Sequence, residues 1–129
     1  MPAHERRFGR KVEVVDKPQV LVVDDDLDLR EVLGFVLEDS GWEMASCNNG
    51  QDALNWLQDH HPRLVLLDLM MPIMSGREFL VAAKKAGLNS TPIVVMSASA
   101  DLDKEFKPGT YLKKPFDIAG LQELLRHFM

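Results

Sequence analysis

The sequence predicts a doubly wound α/β domain in which five parallel strands, in the order 2-1-3-4-5, carry helices on both faces. Three observations lead there. From residue 18 onward, short apolar runs alternate five times with segments of helical period. The runs are apolar at consecutive positions, as strands covered on both faces must be, and such strands belong to parallel sheets sandwiched by helices. Acidic, hydroxyl and basic side chains gather at the carboxyl ends of those runs, where sheets of this kind bind their ligands. For five strands the commonest order is 2-1-3-4-5, with its switch point between strands 1 and 3.

The elements follow in order. Val20-Leu21-Val22-Val23 is the first strand, and Leu29, Val32, Leu33, Val36 and Leu37 recur at three and four residue spacing until Gly41 closes the first helix. Trp42 to Cys47 reads as a weaker second strand. Asn48-Asn49-Gly50 is turn chemistry that opens a helix through Ala53, Leu54 and Leu57, which ends before Pro62. Leu64 to Leu67 is the third strand, Met70 to Gly76 a loop, and Phe79, Leu80 and Ala83 mark a helix closed near Gly87. Pro92 to Met96 is the fourth strand and Tyr111-Leu112 begins a brief fifth. Asp117 can N-cap a last helix whose apolar stripe is Ile118, Leu121, Leu125 and Phe128.

The chain has 129 residues, 46% of them apolar, which is one ordinary domain with enough core to fold without staples. Residues 1–17 read as an N-terminal arm and residues 18–129 as the domain. Cys47 is the sole cysteine, so no intramolecular disulfide forms, and no stretch suits a signal peptide or a membrane span. A reduced, soluble, cytoplasmic protein is expected. The arm carries five basic and three acidic side chains, so the domain has ten basic against seventeen acidic residues. That balance excludes a duplex-binding surface on the domain, because neutralising phosphates takes clustered Lys and Arg. Arg6, Arg7, Arg10 and Lys11 read as a solvated leader.

Four separate segments aim polar groups at one crevice: Asp24, Asp25 and Asp26 after strand 1, Asp68 at the end of strand 3, Ser97 after strand 4 and Lys114 after strand 5. Carboxylates gathered there repel one another, and a cation offsets them; oxygen ligands from a few carboxylates suit Mg²⁺. Beside such an ion, Asp68 is the candidate nucleophile towards phosphorus, giving an aspartyl phosphate. Phosphoryl transfer asks mainly for positioning and for charge on the equatorial oxygens, which Lys114, the Ser97 hydroxyl and the ion can supply. Asp26 and Asp28 read as helix-capping residues. Met70, Met71, Met74 and Met96 read as loop and core fillers, His60-His61 as a helix end, and Cys47 as inert.

The segments Leu21-Val22-Val23-Asp24-Asp25-Asp26, Leu67-Asp68-Leu69-Met70-Met71-Pro72-Ile73-Met74-Ser75-Gly76, Met96-Ser97-Ala98 and Lys114-Pro115-Phe116 resemble the four signatures of response-regulator receiver domains of two-component systems. The resemblance covers residues 18–129 and is similar to the chemotaxis-regulator type, with a flavodoxin-like fold. It implies that Asp68 is phosphorylated by a histidine kinase or phosphotransfer protein with Mg²⁺ as cofactor, and that output passes through contacts with a downstream protein. It further implies that Asp24, Asp25, Asp68 and the Met70 carbonyl hold the metal, that Ser97 and Tyr111 are the switch residues, and that Lys114 contacts the phosphate and precedes a cis bond to Pro115. Such a domain is a signalling phosphoacceptor, not an enzyme with a separate substrate.

One departure from the family stands out. Residues 98–110 are few for a fourth helix, and Asp101 to Lys107 could make only about 10 Å of helix against a strand of roughly 17–20 Å. Pro108-Gly109 then breaks it. A fourth helix of one or two turns is expected, on the face through which the family usually signals. Two other functions remain open at this point: a phosphorylation-independent pseudo-receiver, and an aspartyl-phosphate hydrolase using Asp24.

Overall fold

The computed structural model describes residues 17–129 throughout and, before them, the backbone of Glu5–Arg7 and Arg10–Val12. Those two stretches are strands β1 and β2, paired antiparallel with Arg7 opposite Arg10. The arm's other residues, and the side chains of Arg6, Arg7, Arg10 and Lys11, lie outside the described part.

Ten elements follow: β3 (Gln19–Val23), α1 (Leu27–Asp39), β4 (Glu43–Cys47), α2 (Gly50–Leu57), β5 (Leu64–Asp68), α3 (Gly76–Lys85), β6 (Ile93–Ser97), α4 (Leu102–Glu105), β7 (Tyr111–Lys113) and α5 (Ile118–Arg126). The strands β3 to β7 form one parallel sheet in the order β4-β3-β5-β6-β7, which is 2-1-3-4-5 when the parallel strands are counted along the chain. The doubly wound, flavodoxin-like architecture is thus the one the sequence implies. No helix among the described residues is long and apolar enough to cross a membrane.

Alternation along each strand divides the core in two. Leu21, Val23, Val65, Leu67 and Val95 pack with Ala53, Leu54 and Leu57 of α2 and Phe79 and Ala83 of α3. Val20, Val22, Leu64, Leu66, Val94 and Met96 face the other way, onto Leu33 and Leu37 of α1 and Leu121 and Leu125 of α5. Both faces of the sheet are therefore closed over its central strands, which is why Val20–Val23, Leu64–Leu67 and Ile93–Met96 are apolar at consecutive positions. The helices that follow β3, β4, β5 and β7 start at the carboxyl-end side of the sheet, and each start is tied by a side chain. Asp26 accepts from Leu29 N–H, Asn49 from Asp52 N–H and Asp117 from Gly120 N–H, while Ser75 and Glu78 form a reciprocal capping box. Asp26 is thus a cap, as expected.

Four details differ from the sequence reading. The second strand starts at Glu43, because Trp42 is a fully buried plug at the foot of the sheet. Val32 is 55% exposed and Ile118 is 56% exposed, although both lie on apolar stripes. They line a groove between α1 and α5. His60 is more than a helix end: it stacks on Trp56, ring centroids 4.0 Å apart. Met70, read as a filler, stands 74% exposed on the loop after β5, where no neighbouring element covers it.

The fourth helix is a single turn of four residues, ended where Phe106 turns extended, ahead of Pro108 and of Gly109 with φ at +83°. Asp101 at its start makes no capping bond. What holds the turn is Leu102, buried against the β5 and β6 side of the core, with Phe106 half-buried beside it. A helix this short has no stability of its own. Leu102→Ala is therefore expected to cost about 2–4 kcal/mol, read as a fall in the midpoint of urea unfolding at unchanged m-value.

Candidate functional site

The switch point of the sheet lies between β3 and β5, the two central strands whose chain connections run to opposite sides. Asp24 follows the last residue of β3, Asp25 comes next, and Asp68 ends β5. Each offers a carboxylate oxygen within 4.8 Å of the other two. Asp24 is fully buried, Asp68 nearly so, and Asp25 is exposed at the mouth.

Lys114 follows β7 and reaches into this cluster. Its Nζ lies 2.9 Å from Asp24 Oδ2 and 3.6 Å from Asp68 Oδ1. The backbone carries it there: Lys114 N–H donates to the Ser97 carbonyl at 2.8 Å, and the Lys114–Pro115 peptide is cis, as the resemblance implies. Asp68 Oδ1 also accepts from the Met70 N–H at 3.2 Å. Three carboxylates against one ammonium leave an excess of negative charge in a buried place. Burial pushes the Asp68 carboxyl above its ordinary range; the Met70 N–H and Lys114 pull it back, and Asp24 and Asp25 push it further up.

Ser97 ends β6 beside these groups, buried, with its Oγ accepting the Ser99 N–H at 3.1 Å. Tyr111 lies farther along the sheet, opposite Val95, half-buried and packed on the same side as Leu102 and Phe106. The structure therefore brings Asp24, Asp25, Asp68 and Lys114 into one cluster, sets Ser97 and the Met70 backbone on its edge, and puts Tyr111 on the neighbouring flank with the short α4. Cys47, at the end of β4, has its thiol pKa raised, by burial first and by Asp52 next, with Arg30 opposing, which suits an inert residue.

Two contributors were not singled out in the sequence. Gly76 begins α3 against the end of β5, where a Cβ would stand 2.4 Å from the Asp68 carbonyl oxygen and 2.6 Å from Leu69 Cα. Only glycine permits that approach, and the signal for it was a poor helix former at the first position after a capping serine. Arg30 Nη1 donates to the Asp24 carbonyl at 2.6 Å. Nothing in spacing marks it, since an arginine in a first helical turn ordinarily reads as solvated.

The donor set fits a hard divalent cation: three carboxylates from two strand ends, oxygen only, one side open to water. Comparison with known proteins points the same way. The family model of the response regulator receiver domain matches residues 20–126. The transcriptional regulatory protein PrrA of Mycobacterium tuberculosis is 38% identical over 112 residues, covering 83% of this chain and 48% of that protein. Sporulation initiation phosphotransferase F of Bacillus subtilis is 32% identical over 116 residues, covering 86% of this chain and 93% of that one. The chain spans about half the length of the transcriptional regulators it matches.

Among solved structures, the chemotaxis response regulator CheY4 of Vibrio cholerae superposes with a TM-score of 0.78 at 27% identity, covering 88% of this chain and all of that one. The response regulator protein TrrA of Thermotoga maritima, solved in complex with Mg²⁺ and BeF, gives a TM-score of 0.75 at 28% identity, covering 87% of this chain and 99% of that one. The matched residues run from β3 through α5 and include every member of the acidic cluster, so this chain belongs to the response regulator receiver domain family.

Proposed function

We propose that this domain is a phosphoacceptor of a two-component phosphorelay, with Asp68 taking a phosphoryl group from a histidine kinase or phosphotransfer protein. The observation that carries this reading is the contrast between two aspartates. Asp24 is fully buried with both oxygens engaged, Oδ1 by the Asp26 N–H and Oδ2 by Lys114, whereas Asp68 keeps a looser hold on its partners and a raised pKa. Asp68 is thus the carboxylate free to attack, which also favours it over the hydrolase reading through Asp24.

In the proposed step an Asp68 oxygen forms a bond to phosphorus while the bond from phosphorus to the donor's imidazole nitrogen breaks, and the imidazole leaves and takes a proton. Asp24, Asp25, Asp68 and the Met70 carbonyl would hold Mg²⁺, which supplies positive charge to the transferring group. Lys114 offers an ammonium to one phosphoryl oxygen and Ser97 a hydroxyl to another. The groove flanked by Val32 and Ile118 opens beside Lys114 and gives an incoming protein an apolar footing near Asp68. Ser97 and Tyr111 serve as the switch, output goes to a downstream protein in the cytoplasm, and no other substrate is turned over. No site residue is missing, which counts against a pseudo-receiver.

Incubation with acetyl phosphate and Mg²⁺ is expected to add one phosphoryl group by intact mass, and Asp68→Asn to abolish it. An adduct that survives in the variant would move the acceptor to Asp24.

The raised Asp68 pKa gives a stability signature. A carboxyl whose folded pKa lies above its unfolded one favours folding while protonated, so its contribution is whole below the unfolded pKa and is lost as pH rises through the folded value. Without metal at pH 7, Asp68→Asn is expected to stabilise the domain by about 1 kcal/mol, roughly 3–5 °C in Tm. That gain should fade as pH falls into the ordinary carboxylate range, and Mg²⁺ should raise the Tm of the wild type more than that of the variant. For the switch, beryllium fluoride with Mg²⁺ is expected to slow amide exchange across residues 98–112. Unchanged exchange there would reject the switch and leave phosphoacceptance standing.

A further inference from the structure

Every polar group of Asp24 is engaged. Its N–H donates to the Cys47 carbonyl at 3.1 Å, Oδ1 accepts from the Asp26 N–H at 2.9 Å, and Oδ2 accepts from Lys114 at 2.9 Å. Its carbonyl oxygen accepts from Arg30 Nη1 at 2.6 Å. The first three belong to the sheet, the loop and the acidic cluster. The last comes from a helix side chain that has no part in the chemistry above.

Arg30 lies in the first turn of α1 and is half-buried, so its side chain turns back over the loop instead of extending into water. Among the described residues it makes no ion pair with Asp24, Asp25 or Asp68. It grips a neutral carbonyl, which anchors the loop without neutralising a carboxylate. The bond is short and charge-assisted, the kind that holds a geometry.

The peptide so held is the one joining Asp24 to Asp25. Asp25 is exposed, yet its carboxylate lies within 4.8 Å of two others of like charge, where repulsion alone would swing it outwards. Its direction therefore depends on the peptide plane before it. We propose that Arg30 is a positioning residue: by holding the Asp24 carbonyl it fixes the Asp24–Asp25 peptide and aims Asp25 at the divalent-cation site. This role rests on the reading of Asp24, Asp25 and Asp68 as that site. A partner that orients a ligand without touching the ion commonly governs affinity by about 10–100-fold.

The test is a Mg²⁺ titration followed by the amide shifts of Asp25, Asp26 and Met70, on the full chain. Arg30→Met is expected to raise the Mg²⁺ dissociation constant about 10-fold, and Arg30→Lys, which keeps a cationic donor, to restore part of it. In an Asp25→Asn background the Arg30→Met change should add nothing, because the ligand it aims is gone. Should Arg30→Met fail to fold without metal, Arg30→Gln carries the same comparison. Wild-type Mg²⁺ affinity in the Arg30 variants, or a loss fully additive with Asp25→Asn, would overturn the positioning role while leaving the metal site intact. A wild-type chain with no saturable Mg²⁺ response would overturn the metal site itself, and this role with it.

Discussion

Three carboxylates at the switch point of the sheet share one ammonium, and the rest of the domain is arranged around that imbalance. Two like charges about 4.8 Å apart at an effective dielectric near 20 repel by roughly 3 kcal/mol. The fold bears this cost because the strands carrying Asp24 and Asp68 are its most deeply buried, with no residue of β5 exposed. Moving either acid away would unpack the two core layers that meet along β3 and β5. Apolar packing thus holds in place an arrangement that electrostatics alone would disperse.

Close approach on one side and slack on the other follow from the same layout. At α3 the backbone of Gly76 sits on the Asp68–Leu69 peptide, so the loop that presents Asp68 has a hard floor. Beyond β6 the cover is one helical turn pinned by Leu102, linked to α3 by an ion pair between Glu105 and Arg77. The segment joining Ser97 to Tyr111 is therefore covered by one helical turn, held chiefly by Leu102 and half-buried Phe106. Segments that respond to ligands are commonly drawn from parts of a fold held by few contacts.

Much of this was legible in the residues. Consecutive apolar positions at 20–23 and 64–67 gave the covered parallel strands, Asp26, Asn49 and Asp117 gave the helix starts, and too few residues between Ser97 and Tyr111 gave the short α4. The clustering of Asp24, Asp25, Asp68 and Lys114 followed once strand order was assumed, since topology alone converges those strand ends. Less legible was what depends on fine geometry. Val32 and Ile118 fit their apolar stripes but line an open groove between α1 and α5, and periodicity cannot report what covers a stripe. Ile73 adopts a left-handed backbone, φ +68°, that a β-branched side chain resists and no residue pattern announces. Arg30 is a side-chain reach of six residues back along the chain, visible only once the loop before α1 has a shape.

The unequal reach of Lys114 bears on how such a site can act as a switch. At 2.9 Å from Asp24 and 3.6 Å from Asp68, the ammonium lies closer to the fully buried aspartate and compensates the other less. Burial raises the Asp68 carboxyl, and the Met70 N–H and Lys114 do not cancel that rise, so Asp68 is the more basic and the better nucleophile once ionised. A phosphoryl group on Asp68 would replace the single charge of its carboxylate with nearly two on the phosphate, against the single charge of Asp24. The balance of attraction on Lys114 would then reverse. Because the Lys114 N–H is bonded to the Ser97 carbonyl, a shift of the ammonium towards Asp68 would have a direct backbone connection to the end of β6, where the segment leading to Tyr111 begins.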